Sequence, residues 1–273
     1  MEPLVSVVIT TKNEEKNIEN CLKSVLAQGY PRERIEIIVV DNNSTDKTRE
    51  IAEKYTPLVF DCGPERSAQK NFGAKKSSGE YFIHLDADMT LDRGVIKECV
   101  EKISQSSGIA ALNIPEIVTG ENFFSRARRF ERSFYDNTVI DGVRFIKKDK
   151  FLEVGGFDEK MYACEDWDLT KRIKKTGKID IIKAILFHNE AEFDLKKYLR
   201  KKKYYSGNVD VYIEKWGKDD PDVRKQFGVW YRFFGVFLED GKWKRLTVHP
   251  VLGAGMYFLR FWVGVNFLLR NNG

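Results

Sequence analysis

Apolar residues along this chain fall into two alternating rhythms. Short, largely β-branched runs at 4–10, 35–40, 58–60 and 81–85 have the length and composition of strands buried on both faces. Between them lie stretches with helical spacing: 13–28, where Ile18, Leu22, Val25 and Leu26 share one face, then 44–55 and 67–76. Gly29-Tyr30-Pro31 closes the first of these, and Ser44-Thr45-Asp46 offers capping oxygens to the second. Such alternation implies an α/β fold, a mostly parallel twisted sheet with helices on both faces, whose ligands bind beyond the carboxyl ends of the strands. A helix over 91–104, a strand over 109–114, an aromatic, arginine-rich helix over 122–135 and an apolar run over 179–187 continue the chain. Aromatic and aliphatic residues then dominate from 227 to 269. The pattern therefore divides into an α/β domain over 1–225 and a C-terminal helical appendage over 226–273.

That reading places chemistry at strand ends. Asp41 closes the second strand, and Asp86-Ala87-Asp88 follows the fourth, where an i, i+2 pair of carboxylates shares one side of extended chain. Hard oxygen ligands of this kind suit Mg2+ or Mn2+, which could bridge the phosphates of a nucleotide diphosphate. Taken alone, a D-x-D match is more readily an acidic helix cap. His188 follows the apolar run 179–187 and so could complete a metal shell with Asp88, or simply lie on the surface. His84, inside a strand, is expected to be packed.

Composition adds constraint. Apolar residues at 42% and charged residues at 32% describe a globular chain, and the excess of 46 basic over 41 acidic residues does not suggest a nucleic-acid partner. The four scattered cysteines form no C-x-x-C pair, which argues against a zinc or redox motif. No secretory signal pattern opens the sequence, so a cytoplasmic location is expected. Six of the eight residues from 196 to 203 are Lys or Arg, interleaved with Tyr198, a pattern suited to a phosphate or anionic headgroup or to a solvated helix face. The run 251–269 is apolar and long enough to span a bilayer as a helix, but Arg260 and Asn266 sit within it. With 227–238 it reads better as amphipathic helices at a membrane interface, or as a hairpin packed on the protein.

Four segments in fixed order carry a resemblance. They are Val5 through Glu14, Val39 through Asp46, Arg66 through Ala74 and Gly79 through Asp88, followed by Gly155-Gly156-Phe157-Asp158-Glu159 and Glu165-Asp166-Trp167-Asp168-Leu169 with Arg172. Over about two thirds of its length the chain resembles the family 2 glycosyltransferases, inverting enzymes with the GT-A, Rossmann-like fold. The resemblance implies a donor site in which Thr11, Asn13 and Glu14 line a nucleoside pocket and Asp41 accepts a hydrogen bond from the base. Arg66 and Asn71 would flank diphosphate and sugar, Asp86 and Asp88 would supply the D-x-D motif, and Asp88 with His188 would hold Mn2+ or Mg2+. Asp166 would be the general base, with Glu165 orienting the acceptor or tuning its neighbour. The alternative for both acids is the common preference for carboxylates in a first helical turn.

The function so implied is transfer of a sugar from a nucleotide-diphospho-sugar, a UDP-sugar before a GDP-sugar, to a hydroxyl of a glycan or lipid-linked acceptor, at the cytoplasmic face of a membrane. A polyprenyl-phosphate sugar synthase is the nearest rival. A non-catalytic sugar-nucleotide-binding scaffold is a rival of another class, though it would be expected to have lost some of these carboxylates. A sugar nucleotidyltransferase would need an early glycine-rich loop, which residues 10–15 lack.

Overall fold

A computed structural model describes residues 2–268, so the end of the C-terminal segment, 269–273, lies outside the described residues. The chain runs through β1 (Val5–Thr11), α1 (Ile18–Leu26), β2 (Ile35–Asp41), α2 (Thr48–Glu53), β3 (Val59–Asp61), α3 (Arg66–Lys76), β4 (Tyr81–Asp86), β5 (Met89–Leu91), α4 (Val95–Ser104) and β6 (Ile109–Asn113). It continues through β7 (Glu116–Thr119), α5 (Phe123–Arg132), β8 (Phe145–Lys147), α6 (Lys148–Glu153), α7 (Glu165–Ile173), β9 (Lys178–Ile181) and β10 (Leu186–Asn189). Helices α8 (Leu195–Ser206), α9 (Val209–Trp216), α10 (Pro221–Phe227), α11 (Val236–Leu238), α12 (Lys244–Val248) and α13 (Pro250–Leu268) follow. These elements form two compact units: unit one is Met1–Glu116, Gly142–Glu159 and Glu165–His188, and unit two is Ile117–Asp141, Lys160–Cys164 and Asn189–Gly273.

Unit one contains a seven-stranded sheet in the order β3-β2-β1-β4-β8-β6-β9. Pairing is parallel except at β8, which runs antiparallel to both β4 and β6. The alternation of side chains along each strand sorts them into two cores. Val5, Val7, Ile9, Ile35, Ile37, Val39, Ile83 and Leu85 join Ile18, Leu22 and Val25 of α1 and Ile96, Cys99 and Ile103 of α4. Val8, Ile38, Val40 and Phe82 join Ala74 of α3, Phe151 of α6 and Leu169 and Ile173 of α7 on the other face. Helices thus cover both faces, as the apolar runs imply. Gly73 lets α3 seat closely, since a Cβ there would come within 2.3 Å of Val8 Cγ1.

Several boundaries differ from the expected ones for physical reasons. The first helix begins at Ile18, because residues 13–15 are drawn into a loop: Asn13 adopts φ +53° and bonds Ser44 and Thr45. Met89–Leu91 is a strand rather than the start of a helix, paired antiparallel with β10. The run 179–187 is two strands, and His188 lies inside β10 opposite Met89 instead of beyond a strand end. Strands β7 and β8 carry no pattern that a sequence window would register.

Unit two is mostly helical and takes in more than the expected appendage, because α13 packs against α5 and α8. Residue 225 falls inside α10, so it is no boundary between the units. Its aromatic core includes Phe134 edge-on to Phe130 and Phe237, at 5.1 and 4.8 Å between ring centroids. Between α10 and α11 the chain makes a π-helical turn, Tyr231–Gly235, rather than a continuous amphipathic helix. Among the described residues no helix is long and apolar enough to cross a membrane.

Candidate functional site

Register brings the strand-end residues of unit one together. Thr11 pairs with Asp41 across β1 and β2, and Thr10 pairs with Asp86 across β1 and β4, so the three strands end level. Strand order changes direction between β1 and β4, the place where an open α/β sheet leaves a crevice. The Thr10 hydroxyl donates to Asp86 Oδ1 at 2.9 Å, while the Thr11 hydroxyl is buried with no hydrogen-bond partner.

The two loops after β1 and β2 are tied to each other. Asn13 donates its backbone N–H to Ser44 Oγ at 2.8 Å, and its Oδ1 accepts from the Thr45 N–H at 2.8 Å. Asn tolerates the left-handed conformation this needs. Ser44 also donates to Asp41 through both N–H and hydroxyl, at 2.8 and 2.5 Å. The buried Asp41 carboxylate therefore organises its own turn, and its second lone pairs are what a base could use. Glu14 accepts from Asn17 Nδ2 at 2.6 Å and donates its N–H to the Thr48 hydroxyl at 2.7 Å, fixing the entry to α1.

A second cluster joins α3, β4 and the first turn of α7. Arg66 reaches Asp86 Oδ2 at 3.3 Å and Glu165 Oε1 at 3.5 Å. Lys70, only 1% exposed, places Nζ 3.0 Å from Asp166 Oδ1 and 3.6 Å from Glu165 Oε1, over the Phe157 ring. Burial alone would raise the Asp166 pKa, but Lys70, then Arg144, His84 and Arg66 hold it well below the usual carboxylate range. Asp86 is likewise held low against its burial, chiefly by Arg66 and Lys70. Glu165 moves the other way, raised by burial and by the Asp166 charge. Glu165, expected to orient an acceptor or tune its neighbour, is buried beside Arg66 and Lys70. Asp166 remains the half-exposed carboxylate of the pair.

Asn71, expected beside the donor, has its amide engaged elsewhere. Its Nδ2 donates to Phe157 O and Glu159 Oε1, and its Oδ1 accepts from the Phe157 N–H. It clamps the Gly155-Gly156 turn, and Gly156 at φ +72° is required there, since a Cβ would lie 2.6 Å from Asn71 Oδ1.

The two residues expected to hold a metal are adjacent. His188 Nε2 lies 3.2 Å from Asp88 Oδ2, and its Nδ1 lies 3.1 Å from Glu116, whose other oxygen meets Arg144 at 3.3 Å. Burial would lower the His188 pKa, but the Asp88 and Glu116 carboxylates push it up to about 10. Asp88 Oδ1 is buried with no hydrogen-bond partner. An orphaned carboxylate oxygen beside an imidazole oriented by a second carboxylate fits a divalent cation, which would take the place of the imidazole proton. Among the described residues no three His, Cys, Asp or Glu side chains converge as a complete ligand set. Any metal held by this pair would draw its remaining ligands from a bound ligand or water. His84 is packed as expected: fully buried, with Nε2 2.9 Å from Val143 O.

Lys70, Glu116 and Arg144 escape a reading of sequence alone. The available signal for Lys70 was helix α3 itself, which buries Ser67, Gln69, Lys70 and Asn71, an unusual set for a helix core.

With this geometry in view, the chain can be compared with known proteins. The model of glycosyl transferase family 2 matches residues 6–157. Glycosyltransferase AglE of Haloferax volcanii is 30% identical over 192 residues, 64% of this chain and 62% of that protein. Probable glycosyltransferase YdaM of Bacillus subtilis is 27% identical over 86% of this chain and 63% of its own length, so the chain spans less than two thirds of either. A Methanococcus voltae protein named dolichyl N-acetyl-alpha-D-glucosaminyl phosphate 3-beta-D-2,3-diacetamido-2,3-dideoxy-beta-D-glucuronosyltransferase is 25% identical over 77% of this chain and 74% of its own. Among solved structures, Staphylococcus aureus TarS 1–349 in complex with UDP superposes with TM-score 0.59 at 16% identity, over 98% of this chain and 90% of that one. The Pyrobaculum calidifontis mannosyltransferase PcManGT, in complex with GDP-Man and Mn2+, gives 0.58 at 20% identity, over 93% and 74%. The mostly parallel sheet with helices on both faces is thus a GT-A fold, and the chain belongs to glycosyl transferase family 2.

Proposed function

We propose that this protein is an inverting glycosyltransferase that moves a sugar from a nucleotide-diphospho-sugar to an acceptor hydroxyl. The observation that carries this reading is Asp166, held ionised by Lys70 and half-exposed, beside Glu165, whose Arg66 partner also reaches the D-x-D carboxylate Asp86. Thr11, Asn13, Glu14 and Asp41 bind the nucleoside, and the orphaned Thr11 hydroxyl is a donor in search of an acceptor there. Arg66 binds the diphosphate and Asp86 a sugar hydroxyl. Asp88 and His188 hold Mn2+ or Mg2+, which when bound neutralises charge developing on the departing diphosphate. Asp166 accepts the hydrogen bond of the acceptor hydroxyl and takes its proton as that oxygen attacks the anomeric carbon opposite the leaving group, inverting configuration. The depressed pKa keeps the carboxylate ionised throughout the neutral range, at a cost in basicity that release of the Lys70 contact would offset.

UDP is the favoured base and GDP the alternative, as the UDP and GDP-Man bound by the structural neighbours also suggest. A lipid-linked glycan is the proposed acceptor, in keeping with the dolichyl sugar phosphate in the name of the Methanococcus relative. A cytoplasmic setting with peripheral membrane contact follows. The test is calorimetric titration with UDP, GDP, CDP and dTDP, each with and without Mn2+. Binding of one nucleotide that weakens sharply without metal and disappears in Asp88→Ala is expected. Metal-independent binding, or none, would overturn the donor-site assignment.

A further inference from the structure

Unit two holds a second concentration of charge that the donor-site chemistry does not use, and it is of opposite sign. Helix α5 contributes Arg128, which meets Glu131 at 2.5 Å and Glu190 at 3.3 Å. From α13 comes Arg260, 6% exposed, whose Nε lies 3.1 Å from Glu131 and which donates to the Tyr135 hydroxyl. The π-helical turn supplies Arg232, stacked 5.6 Å from the centroid of the same Tyr135 ring, with Arg260 at 5.5 Å. Helix α8 supplies Lys202 over Tyr198, at 5.5 Å, with Arg128 at 5.3 Å from that ring. Of the basic run 196–203, Lys202 is the Lys or Arg side chain that is half-buried; the other five are exposed.

Four cations, Arg128, Arg232, Arg260 and Lys202, thus stand around the Tyr135 and Tyr198 rings with two carboxylates among them: Arg128 pairs with Glu131 and Glu190, and Arg260 with Glu131. Arg132 stands beside the same ring but has its own partner in Asp141, at 3.2 Å. Two buried guanidinium nitrogens, Arg232 Nη1 and Arg260 Nη1, have no hydrogen-bond partner. Burial, with Arg128 next in weight, pulls the Lys202 ammonium down to about 8. Four cations beside two carboxylates, at partly buried places and with unused N–H donors, are costly unless an anion completes them. The match in charge is a phosphomonoester, which carries about −1.5 to −2 at neutral pH, rather than a phosphodiester with a single charge.

The same segments say what the phosphate is attached to. Arg260 is followed by Phe261 and Trp262, 58% and 41% exposed, and preceded by Phe258 at 45%. Arg232 is flanked by Trp230 and Phe234, 66% and 55% exposed. Val229, Leu238, Trp243, Val248 and Val251 are exposed in the same unit. Solvent-facing aromatic and aliphatic side chains bracketing inward-facing cations suit a ligand with an anionic head and a long apolar tail. We infer that unit two binds the phosphomonoester head of a membrane lipid, with Arg128, Arg232, Arg260 and Lys202 on the phosphate and Phe258, Phe261 and Trp262 in the apolar layer. This concerns binding of a lipid head alone and stands apart from the proposed lipid-linked glycan acceptor, whose phosphate would be esterified on both sides.

The experiment is vesicle co-sedimentation of the full chain, using phosphatidylcholine alone, phosphatidylcholine with phosphatidic acid, and phosphatidylcholine with phosphatidylglycerol adjusted to equal surface charge. Phosphatidic acid vesicles are expected to bind at least about tenfold more tightly than phosphatidylglycerol ones, and Arg232→Gln and Lys202→Gln are each expected to reduce that preference several-fold. Trp262→Ser should weaken binding to both anionic vesicles while leaving the preference. Equal binding to the two anionic surfaces would reduce the cluster to a generic basic face and overturn the proposal. Undiminished preference in both cation variants would also overturn it. Inorganic phosphate, titrated calorimetrically, separates the sources: binding as tight as that to phosphatidic acid vesicles would assign the site to free phosphate. UDP titration of each variant monitors unit one, so loss of lipid preference with nucleotide binding intact tests this inference alone, and loss of nucleotide binding in the unsubstituted chain tests the donor site alone.

Discussion

Unit one gathers carboxylates around too few cations; unit two does the reverse. At the strand ends Asp86, Glu165 and Asp166 share Arg66 and Lys70. Around Tyr135 and Tyr198, four cations stand with only Glu131 and Glu190, which pair with Arg128 and Arg260. A folded chain could neutralise such clusters internally, and elsewhere this one does, as with Arg172 and Asp168 at 2.6 Å. Unbalanced clusters that persist at partly buried places are better understood as halves of an ion pair whose other half arrives with a ligand. On the proposed reading, a divalent cation at Asp88 and the proton of an acceptor hydroxyl complete the acidic cluster, and a phosphate completes the basic one.

The sharpest way to break this comparison is to neutralise one side. Asp166→Asn should lower turnover by about 10²–10⁴-fold with nucleotide affinity retained. Turnover close to that of the unsubstituted enzyme would remove Asp166 as base and favour an acceptor that is itself an ionised phosphate. In unit two, Glu131→Gln should destabilise the fold by about 3–5 kcal/mol, because Arg128 and Arg260 would lose a buried counterion. Denaturant unfolding measures this, and added phosphatidic acid should restore part of the loss if an anion can take the vacated role.

Two titrations follow. His84 is fully buried, and burial together with Lys70 and Arg144 lowers its pKa to about 3. A depressed histidine means the unfolded chain binds the extra proton first. Its contribution to stability is therefore present above the free value near 6.5 and is lost as pH falls from there toward 3, by up to about 1.4 kcal/mol per pH unit. Thermal unfolding across that window should show this slope, and His84→Gln should flatten it. Smaller still is the effect of Lys70→Met on the pH profile of kcat/KM. Without the ammonium, the Asp166 pKa rises, so the acidic limb should move up by about one pH unit or more. An unmoved limb would mean that Lys70 only packs.

How much of this was legible depends on what each residue is asked to do. Val5–Thr11 and Ile35–Asp41 announce themselves because a strand buried on both faces is apolar throughout, and Asp41 and Asp86 stand out by ending such runs. The three residues of β8 do not, since their strand character comes from the partners β4 and β6 and not from their own pattern. His188 was placed at a strand end because two strands separated by a short break read as one apolar run. A lysine in a helix is ordinarily a surface residue, so Lys70 gains meaning only once α3 is seen to lie on the sheet with its polar residues inward. Arg260 in the sequence argues only against a lipid-exposed span; its partners Glu131 and Tyr135 become visible in the structure.

The reciprocal bonds between Asn13 and the Ser44-Thr45 turn also bear on how this protein can diverge. Ser44 is held at once by Asn13 and by Asp41, so a substitution in either loop changes the footing of the other. Effects of mutations in the two loops should be strongly non-additive, each tolerated best in the company of a matching change. In a lineage exploring new donors, the nucleoside lip would then be inherited as a block and exchanged as a block, while the acceptor side remained free to drift.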